Sequence, residues 1–135
     1  MTTTHYRILA ILWTLGIAAA YSIPISGMPV STTVIGWDKL AHFGLFCGFG
    51  FLWMHALHPS RSSGFKITSH RWAAAIFGVG VALSVLAEVY QDSLPYRSAE
   101  PYDALANMLG LSVALLFFYW RHPPTPRETH SKRAA

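Results

Sequence analysis

The segment between Ala87 and Asp103 reads AEVYQDSLPYRSAEPYD and holds the side chains with the most evident chemistry. Ten basic and six acidic residues are spread over the whole chain, yet five of them fall here: Glu88, Asp92, Arg97, Glu100 and Asp103. Carboxylates beside a guanidinium can bind a polar headgroup, and with a histidine they can support acid–base catalysis. Apolar sequence flanks the segment on both sides, so its meaning depends on the elements that position it.

The composition of the chain is typical of a membrane protein. Of its 135 residues, 53% are hydrophobic and 12% are charged, whereas a soluble domain carries about 25% charged residues. The length suits a single domain. The one cysteine, Cys47, lies in an apolar run and has no second cysteine with which to form an internal disulfide.

Four apolar runs are long enough to cross a bilayer as helices, which takes about 20 mostly apolar residues. They lack the alternation of a membrane β-barrel. We therefore predict an all-α integral membrane protein with four transmembrane helices over residues 8–25, 40–57, 72–90 and 104–120. A signal peptide over residues 1–20 is the alternative for the first run, but its uncharged sequence continues to Ile25, which favours a retained span.

The charges between the spans predict the orientation in the membrane. Eight of the ten basic residues fall on one side: Arg7, Arg61, Lys66, Arg71, Arg121, Arg127, Lys132 and Arg133. The positive-inside rule makes this side cytoplasmic and places both termini in the cytoplasm. Five of the six acidic residues then face outwards. No nucleic-acid partner is predicted, because no basic face is interleaved with stacking aromatics.

The spans define a single membrane domain over residues 1–121. Residues 122–135 are rich in Pro, Thr, Arg and Lys, and we predict that they form a disordered cytoplasmic tail because they cannot bury a core. Membrane lipids are the expected partners of such a domain, and a homo-oligomer is compatible with its small size.

Two similar motifs open the second and fourth spans, WDKLAHFGL and YDALANMLGL. In them Asp38 corresponds to Asp103, and His42 corresponds to Asn107. Both spans run from outside to inside, which predicts two helical hairpins of the same orientation. Each aspartate can be explained as a helix N-cap. The histidine and the asparagine, one turn deeper, either hydrogen-bond between helices or face a polar cavity.

Small residues predict where the helices approach one another. Gly44 and Gly48 form a GxxxG pair in the second span, and Ala106, Gly110 and Ala114 repeat at a spacing of four in the fourth. Such positions allow helix backbones to come close. We expect them to place the polar residues of both motifs near packed seams.

Glu88 is the residue that helix capping cannot explain. It lies about one turn before the end of the third span, where the helix dipole disfavours an acid and the hydrocarbon region disfavours a charge. A carboxylate there needs a cationic partner, a water-filled cavity or a proton. Arg97, Lys39 and protonated His42 are the candidate cations, and Gln91 shares the face of Glu88 at i+3.

Taken in order, these residues resemble the VanZ-like family of small bacterial membrane proteins. The matching pieces are DKLAHFGLF and AEVYQDSLPYRSAEPYDALANMLG, and the resemblance covers about residues 35–115. The positions that match the family pattern are Asp38, Lys39, His42, Phe43, Glu88, Gln91, Pro95, Arg97, Asp103, Asn107 and Gly110. The chain departs from the pattern at Tyr96, where the family often has Gly, and at Tyr102, where it often has a second Asp.

The resemblance implies a four-helix domain in the bacterial cytoplasmic membrane and a link to the cell envelope. Founding members of the family are associated with resistance to the glycopeptide teicoplanin. The family supplies no settled reaction, so the resemblance leaves open whether this chain is an enzyme.

Two functions fit the polar residues best. In the first, an outward-facing site binds a lipid headgroup, a lipid-linked cell-wall precursor, or a glycopeptide or other lipophilic antibiotic, with Arg97 and Lys39 holding phosphate. Its predicted binding residues are Asp38, Lys39, His42, Glu88, Gln91, Arg97, Asp103 and Asn107. In the alternative, an integral-membrane enzyme modifies an envelope lipid. His42 would then be the general base, oriented by Asp38 or Glu88, and Arg97 would stabilise an oxyanion.

A transporter or proton pathway through Glu88 and His42 is a third hypothesis, although four spans are few for one. A metal site formed by His42, Asp38, Glu88 and Asp103 is conceivable, but none is predicted, because the set has one histidine and no dedicated metal-ligand spacing. No cofactor is predicted either.

Overall fold

The computed structural model describes residues 1–23, 36–57, 69–95 and 100–122, and these residues form four α-helices without any strand. Helix α1 runs over Thr3–Ser22, α2 over Trp37–Leu57, α3 over Ser69–Asp92 and α4 over Pro101–Arg121. The all-helical class and the four predicted helices are thus confirmed for the described part of the chain. The predicted tail lies outside the described residues from position 123 onwards.

Three of these helices are long and apolar enough to cross a membrane: Trp37–Leu57, His70–Asp92 and Pro101–Arg121. Helix α1 is not among them, because its first turns contain the polar residues His5, Tyr6 and Arg7. The predicted first span continued to Ile25, which lies beyond the last described residue of this segment, Ile23.

Large apolar side chains cover the outside of the bundle. Leu15 on α1 is 61% exposed, Leu86 on α3 is 62% exposed and Leu116 on α4 is 69% exposed. A continuous apolar surface of this kind is rare in soluble monomers and marks contact with a membrane or another protein. The surface therefore agrees with the membrane class that the composition indicates.

The helices pack as two antiparallel hairpins. At one end of the first hairpin Arg7 donates a hydrogen bond to the carbonyl of Ala56 (3.3 Å), and at the other end the Tyr21 hydroxyl lies 2.8 Å from His42. In the second hairpin the end of α3, near Glu88, contacts the start of α4. Helices α2 and α4 lie side by side with their first turns at the same end, as their similar motifs predict. These two helices share the largest interface of the bundle.

The core is formed by side chains from all four helices. Those that are buried and in mutual contact are Ile17, Tyr21, Phe46, Phe49, Met54, Ala73, Ile76, Leu111 and Phe118. All of them are hydrophobic, so the centre of the bundle is apolar. Most of the buried polar side chains lie closer to the helix ends.

Glycine determines how closely α2 and α4 approach. A Cβ atom at Gly110 would collide with the backbone carbonyl of Phe43 on α2. Gly48 also lies in a tight contact, since a Cβ there would be 2.6 Å from the ring of Trp13. At Gly44 a Cβ would meet no atom of the described residues within 4 Å, so the prediction that this glycine lies at a packed seam is wrong for the described part of the chain.

We expect Gly110→Ala to destabilise the bundle, because the added methyl group must push α2 and α4 apart. The expected loss is about 1–3 kcal/mol of unfolding free energy, the usual cost of overpacking. The matched control is Gly44→Ala, which should gain up to about 1 kcal/mol from helix propensity. Thermal unfolding of the purified variants in detergent measures both changes. Equal stability of the two variants would contradict the close contact.

Candidate functional site

Buried polar side chains gather at the end of the bundle where α1 and α3 finish and where α2 and α4 begin. Those buried among the described residues are Lys39, His42, Ser84, Glu88, Gln91, Asp103 and Asn107. All but Ser84 belong to the predicted binding residues. Of the remaining two predicted residues, Asp38 is half-buried, whereas Arg97 lies outside the described residues.

Helical spacing brings these groups together. On α2, Asp38 and His42 are four residues apart and share one face of the first turns. On α4, Asp103 and Asn107 have the same spacing, and Glu88 lies one turn before the end of α3. Since α2 and α4 begin at the same end, both polar faces meet there. We call the set Asp38, Lys39, His42, Glu88, Glu100 and Asp103 the polar cluster.

Lys39 lies at the centre of the polar cluster. Its Nζ is 2.7 Å from Asp38, 2.8 Å from Glu100 and 3.0 Å from Asp103. Lys39 Nζ donates hydrogen bonds to Asp38 and Glu100, and its contact with Asp103 Oδ1 is an ion pair without a hydrogen bond. The two aspartates are therefore partners of Lys39, and the N-cap position of α4 is occupied by Glu100.

A chain of hydrogen bonds continues from His42 through the other three helices. The Tyr21 hydroxyl lies 2.8 Å from His42 Nδ1 and donates to Asn107 Oδ1 at 3.3 Å. Asn107 Nδ2 donates in turn to Ser84 Oγ at 2.9 Å. On its other side His42 presents Nε2 to Asp103 Oδ2, which is 3.5 Å away. The network thus links every helix to the polar cluster.

Sequence reasoning missed Tyr21 and Ser84. A tyrosine near the end of a span is commonly an interfacial anchor, and a serine in an apolar helix is commonly a small packing residue. A usable signal was present for Ser84, because it lies four residues before Glu88 and seven before Gln91, on one helical face. Tyr21 had no comparable signal, since its partners are distant in the sequence.

Glu88 is buried without a lysine or arginine in ion-pair contact among the described residues. Its Oε2 accepts a hydrogen bond from the backbone N–H of Glu100 at 3.1 Å, while its Oε1 is buried without a hydrogen-bond partner there. Of its three predicted cationic partners, Lys39 is bound to other carboxylates and Arg97 lies outside the described residues. The third, His42, has a ring nitrogen within 4.8 Å of a Glu88 carboxylate oxygen. Gln91 is 2% exposed, and its Nε2 likewise has no partner in the described part of the chain.

The polar cluster contains more acidic than basic side chains. Asp38, Glu88, Glu100 and Asp103 supply four carboxylates, and Lys39 supplies one ammonium group. Burying a charge without a counter-charge is costly. This end of the bundle therefore attracts cations and hydrogen-bond donors, and it disfavours a free anion.

An apolar groove runs between α1 and α3 towards the polar cluster. It consists of two adjoining cavities of about 330 and 320 Å³ that share Thr14, Phe49 and Leu83 in their walls. Tyr21 lines the half that is closer to the polar cluster. The ring of this tyrosine thus faces the groove while its hydroxyl belongs to the hydrogen-bond network.

A second cleft, of about 340 Å³, lies between the end of α3 and the start of α4. It is lined by the acids Glu88, Asp92 and Glu100 and by Val85, Val89, Pro101 and Ala104. We call it the acidic cleft. It connects the buried Glu88 with the surface of the bundle.

The fold and the site define a small helical bundle of membrane type with a buried acidic cluster at one end. The VanZ/LLP1 family model matches residues 3–122, and the chain belongs to this family, as the sequence resemblance predicted. An uncharacterized protein of Schizosaccharomyces pombe is 31% identical over 112 residues, which cover 82% of this chain and 61% of the yeast protein. The chain thus spans less than two thirds of the length of that relative. No solved structure matches the chain.

We expect Lys39→Met to unfold or strongly destabilise the bundle, because it leaves the carboxylates around Lys39 without their counter-charge. Removing one partner of a buried ion pair costs about 3–5 kcal/mol, and Lys39 is only 8% exposed. The matched control is Arg71→Met, which removes an exposed cation at the opposite end. Thermal unfolding in detergent should separate the two variants. Similar melting temperatures would show that Lys39 does not hold this end together.

Proposed function

We propose that this protein binds a lipid at the outer face of the bacterial cytoplasmic membrane as part of the cell envelope. The headgroup would lie at the polar cluster, and the acyl chain would lie in the apolar groove. Residues 1–121 would form the membrane domain, with four spans and both termini cytoplasmic. Arg7, Arg71 and Arg121 support this orientation, because they lie at the end opposite to the polar cluster and suit the cytoplasmic side.

The apolar surface of α1 supports the assignment of this helix as a membrane span, the first of the four along the chain. Ile8, Leu12 and Leu15 are each more than half exposed on the outside of the bundle. In water this surface would be unfavourable, whereas a bilayer removes the cost. The uncharged sequence up to Ile25 agrees with the predicted span over residues 8–25.

The observation that carries the proposal is the double role of Tyr21. Its ring lines the apolar groove, and its hydroxyl bonds to His42 and Asn107 at the polar end. A lipid has the same two parts, a long apolar chain and a polar head, joined end to end. Because the groove lies between membrane-type helices, an acyl chain can reach it from the bilayer without crossing water.

The charges of the site favour a headgroup that carries an amine or hydroxyl groups. The side chains of Asp38 and Glu100 are 39% and 38% exposed and form the accessible rim of the polar cluster. Lys39 is surrounded by carboxylates and would act as their counter-ion in preference to binding phosphate. Three kinds of ligand would combine such donors with an apolar tail: an aminophospholipid, a lipid-linked cell-wall precursor or a lipophilic glycopeptide antibiotic.

Filling the groove should block lipid binding. We expect Leu83→Trp to weaken binding of fluorescently labelled phosphatidylethanolamine at least about tenfold, a change of about 1.4 kcal/mol, because Leu83 lines both halves of the groove. The matched control is Leu116→Trp, which adds the same bulk at an exposed position on α4. Fluorescence titration of the purified protein in detergent measures both. Equal affinities of the two variants for the lipid would exclude the groove as the binding site of the acyl chain.

The same titration tests the headgroup. Phosphatidylethanolamine should bind more tightly than phosphatidylglycerol with identical chains, because the rim offers carboxylates to the amine. Loss of this preference in Asp38→Asn would assign the recognition to the rim. A preference for phosphatidylglycerol would show that the site attracts anionic headgroups and would contradict the assignment.

A second candidate function, an integral-membrane enzyme that modifies an envelope lipid, is favoured by the contacts of His42. Its ring lies between Asp103 Oδ2 at 3.5 Å and the Tyr21 hydroxyl at 2.8 Å, an arrangement that suits a general base oriented by a carboxylate. Glu88 lies in the same buried group and could accept a proton. Arg97 would stabilise the developing negative charge.

If the protein is an enzyme, His42→Gln should slow conversion strongly while lipid binding persists. General acid–base catalysis contributes about 10²–10⁴-fold to a rate, so the turnover rate of the variant should be lower than that of the wild type by about this factor. Mass spectrometry of envelope lipids incubated with wild type and variant provides the measurement. Absence of any altered lipid with wild type would leave the binding function as the better description.

A further inference from the structure

We propose that His42, Glu88 and Asp103 bind a divalent cation of the Mn²⁺ or Zn²⁺ class. A ring nitrogen of His42 and one carboxylate oxygen of each acid lie within 4.8 Å of one another, and all three residues are buried. They come from α2, α3 and α4, so the site exists only in the folded bundle. This inference goes beyond lipid binding and does not depend on it.

Glu88 provides the independent reason to place a cation there. The residue is 8% exposed, and its Oε1 is buried without a hydrogen-bond partner among the described residues. A buried carboxylate oxygen in this state carries the full cost of lost hydration. A cation bound by the three side chains would remove that cost.

The neighbouring acids form a comparable group that already holds a cation. Asp38, Glu100 and Asp103 form a second set whose carboxylate oxygens lie within 4.8 Å of one another. The ammonium group of Lys39 lies among them, within 3.0 Å of each carboxylate. The two sets share Asp103. In the set that contains Glu88, no described lysine or arginine plays the corresponding role.

The histidine is oriented as a metal ligand would be. Metal-binding histidines usually engage their second ring nitrogen in a hydrogen bond that fixes the ring, and here Nδ1 is 2.8 Å from the Tyr21 hydroxyl. The other nitrogen, Nε2, therefore faces Asp103 Oδ2 at 3.5 Å. Two ligands bound to one cation at about 2.0–2.2 Å are separated by about 3.4 Å in tetrahedral geometry, which is close to this distance.

The ligand set selects the class of cation. Two carboxylates favour hard divalent ions such as Mn²⁺, and the imidazole adds affinity for Zn²⁺ and other transition metals. The acidic cleft supplies the access path, because Glu88 lies in its wall together with Asp92 and Glu100. Two positive charges would also offset most of the excess negative charge of the polar cluster.

Manganese itself is the probe for the test. The protein is purified in detergent, stripped of metal with EDTA and then freed of the chelator. It should then bind one equivalent of added Mn²⁺, which is measured as a loss of the electron paramagnetic resonance signal of the free ion. Electron spin-echo modulation of the bound ion should show one imidazole nitrogen. Glu88→Gln should weaken binding at least about tenfold, as expected for the loss of a charged ligand at about 1.4 kcal/mol or more. The control Asp92→Asn removes an exposed charge from the acidic cleft and should bind as wild type does.

Stability provides a second readout. Mn²⁺ should raise the melting temperature of the wild type and of Asp92→Asn but not that of Glu88→Gln. Absence of saturable binding in the wild type, bound Mn²⁺ without imidazole modulation, or equal affinity in Glu88→Gln would overturn the site. The remaining outcome is that the wild type binds no Mn²⁺ and that Glu88→Gln has a higher melting temperature than the EDTA-stripped wild type. This result would show that Glu88 carries a proton in place of a bound cation. Phosphatidylethanolamine titration of the EDTA-stripped protein reports on the lipid site separately.

Discussion

Asp38, Glu100 and Asp103 converge on the ammonium group of Lys39, and the polar end of the bundle depends on this contact. The four residues come from the first turn of α2, the first turn of α4 and the residue that precedes α4. Desolvating so many charges is expensive, so the contact is weak evidence for stability. Its effect is on alignment, because a shift of α4 along α2 by one turn would separate Asp103 from Lys39 and leave the buried Asp103 without its counter-charge, while Lys39 would keep only Asp38.

A second constraint acts on the same pair of helices. At Gly110 the backbone of α4 approaches the carbonyl of Phe43 on α2 too closely for any side chain. The ion contact at the end and the glycine contact further along restrain two points of one interface, which sets both the separation and the register of α2 and α4. Helices α1 and α3 then pack on this pair from the sides. The apolar groove and the acidic cleft lie along α1 and α3, which pack less tightly than α2 and α4 do.

The sequence predicted the helices and the convergence of most of the polar residues at one end, because both depend on patterns within single segments. The repeated motif placed Asp38 with His42 and Asp103 with Asn107, and parallel packing of α2 and α4 brought the two pairs to one end. The position of Glu88 against its helix dipole marked it as unusual. The partners of Lys39 could not be derived in the same way, since the choice among five nearby acids depends on distances between helices. For this reason Glu100 was not among the predicted binding residues.

Two further differences have the same physical origin. Gly44 and Gly48 look equivalent in the sequence. A Cβ at Gly44 would meet no described residue within 4 Å, whereas Gly48 packs on Trp13, and the rotation of α2 decides this difference. Tyr21 and Ser84 became part of the site through neutral hydrogen bonds. Such residues leave no charge pattern by which they can be recognised, whereas the charged members of the polar cluster stood out against an apolar background.

The uneven packing of the four helices has a consequence for how fast a molecule bound in the groove would leave it. Among the pairs of helices that touch, α1 and α3 share the smallest interface, and α2 and α4 share the largest. Local openings cost least where few buried contacts are broken, so the bundle should open between α1 and α3 while the α2–α4 seam stays closed. A molecule held in the groove would then leave sideways into the bilayer through a narrow lateral gate. Its residence time would be set by the stiffness of α1 and would depend little on the aqueous surroundings.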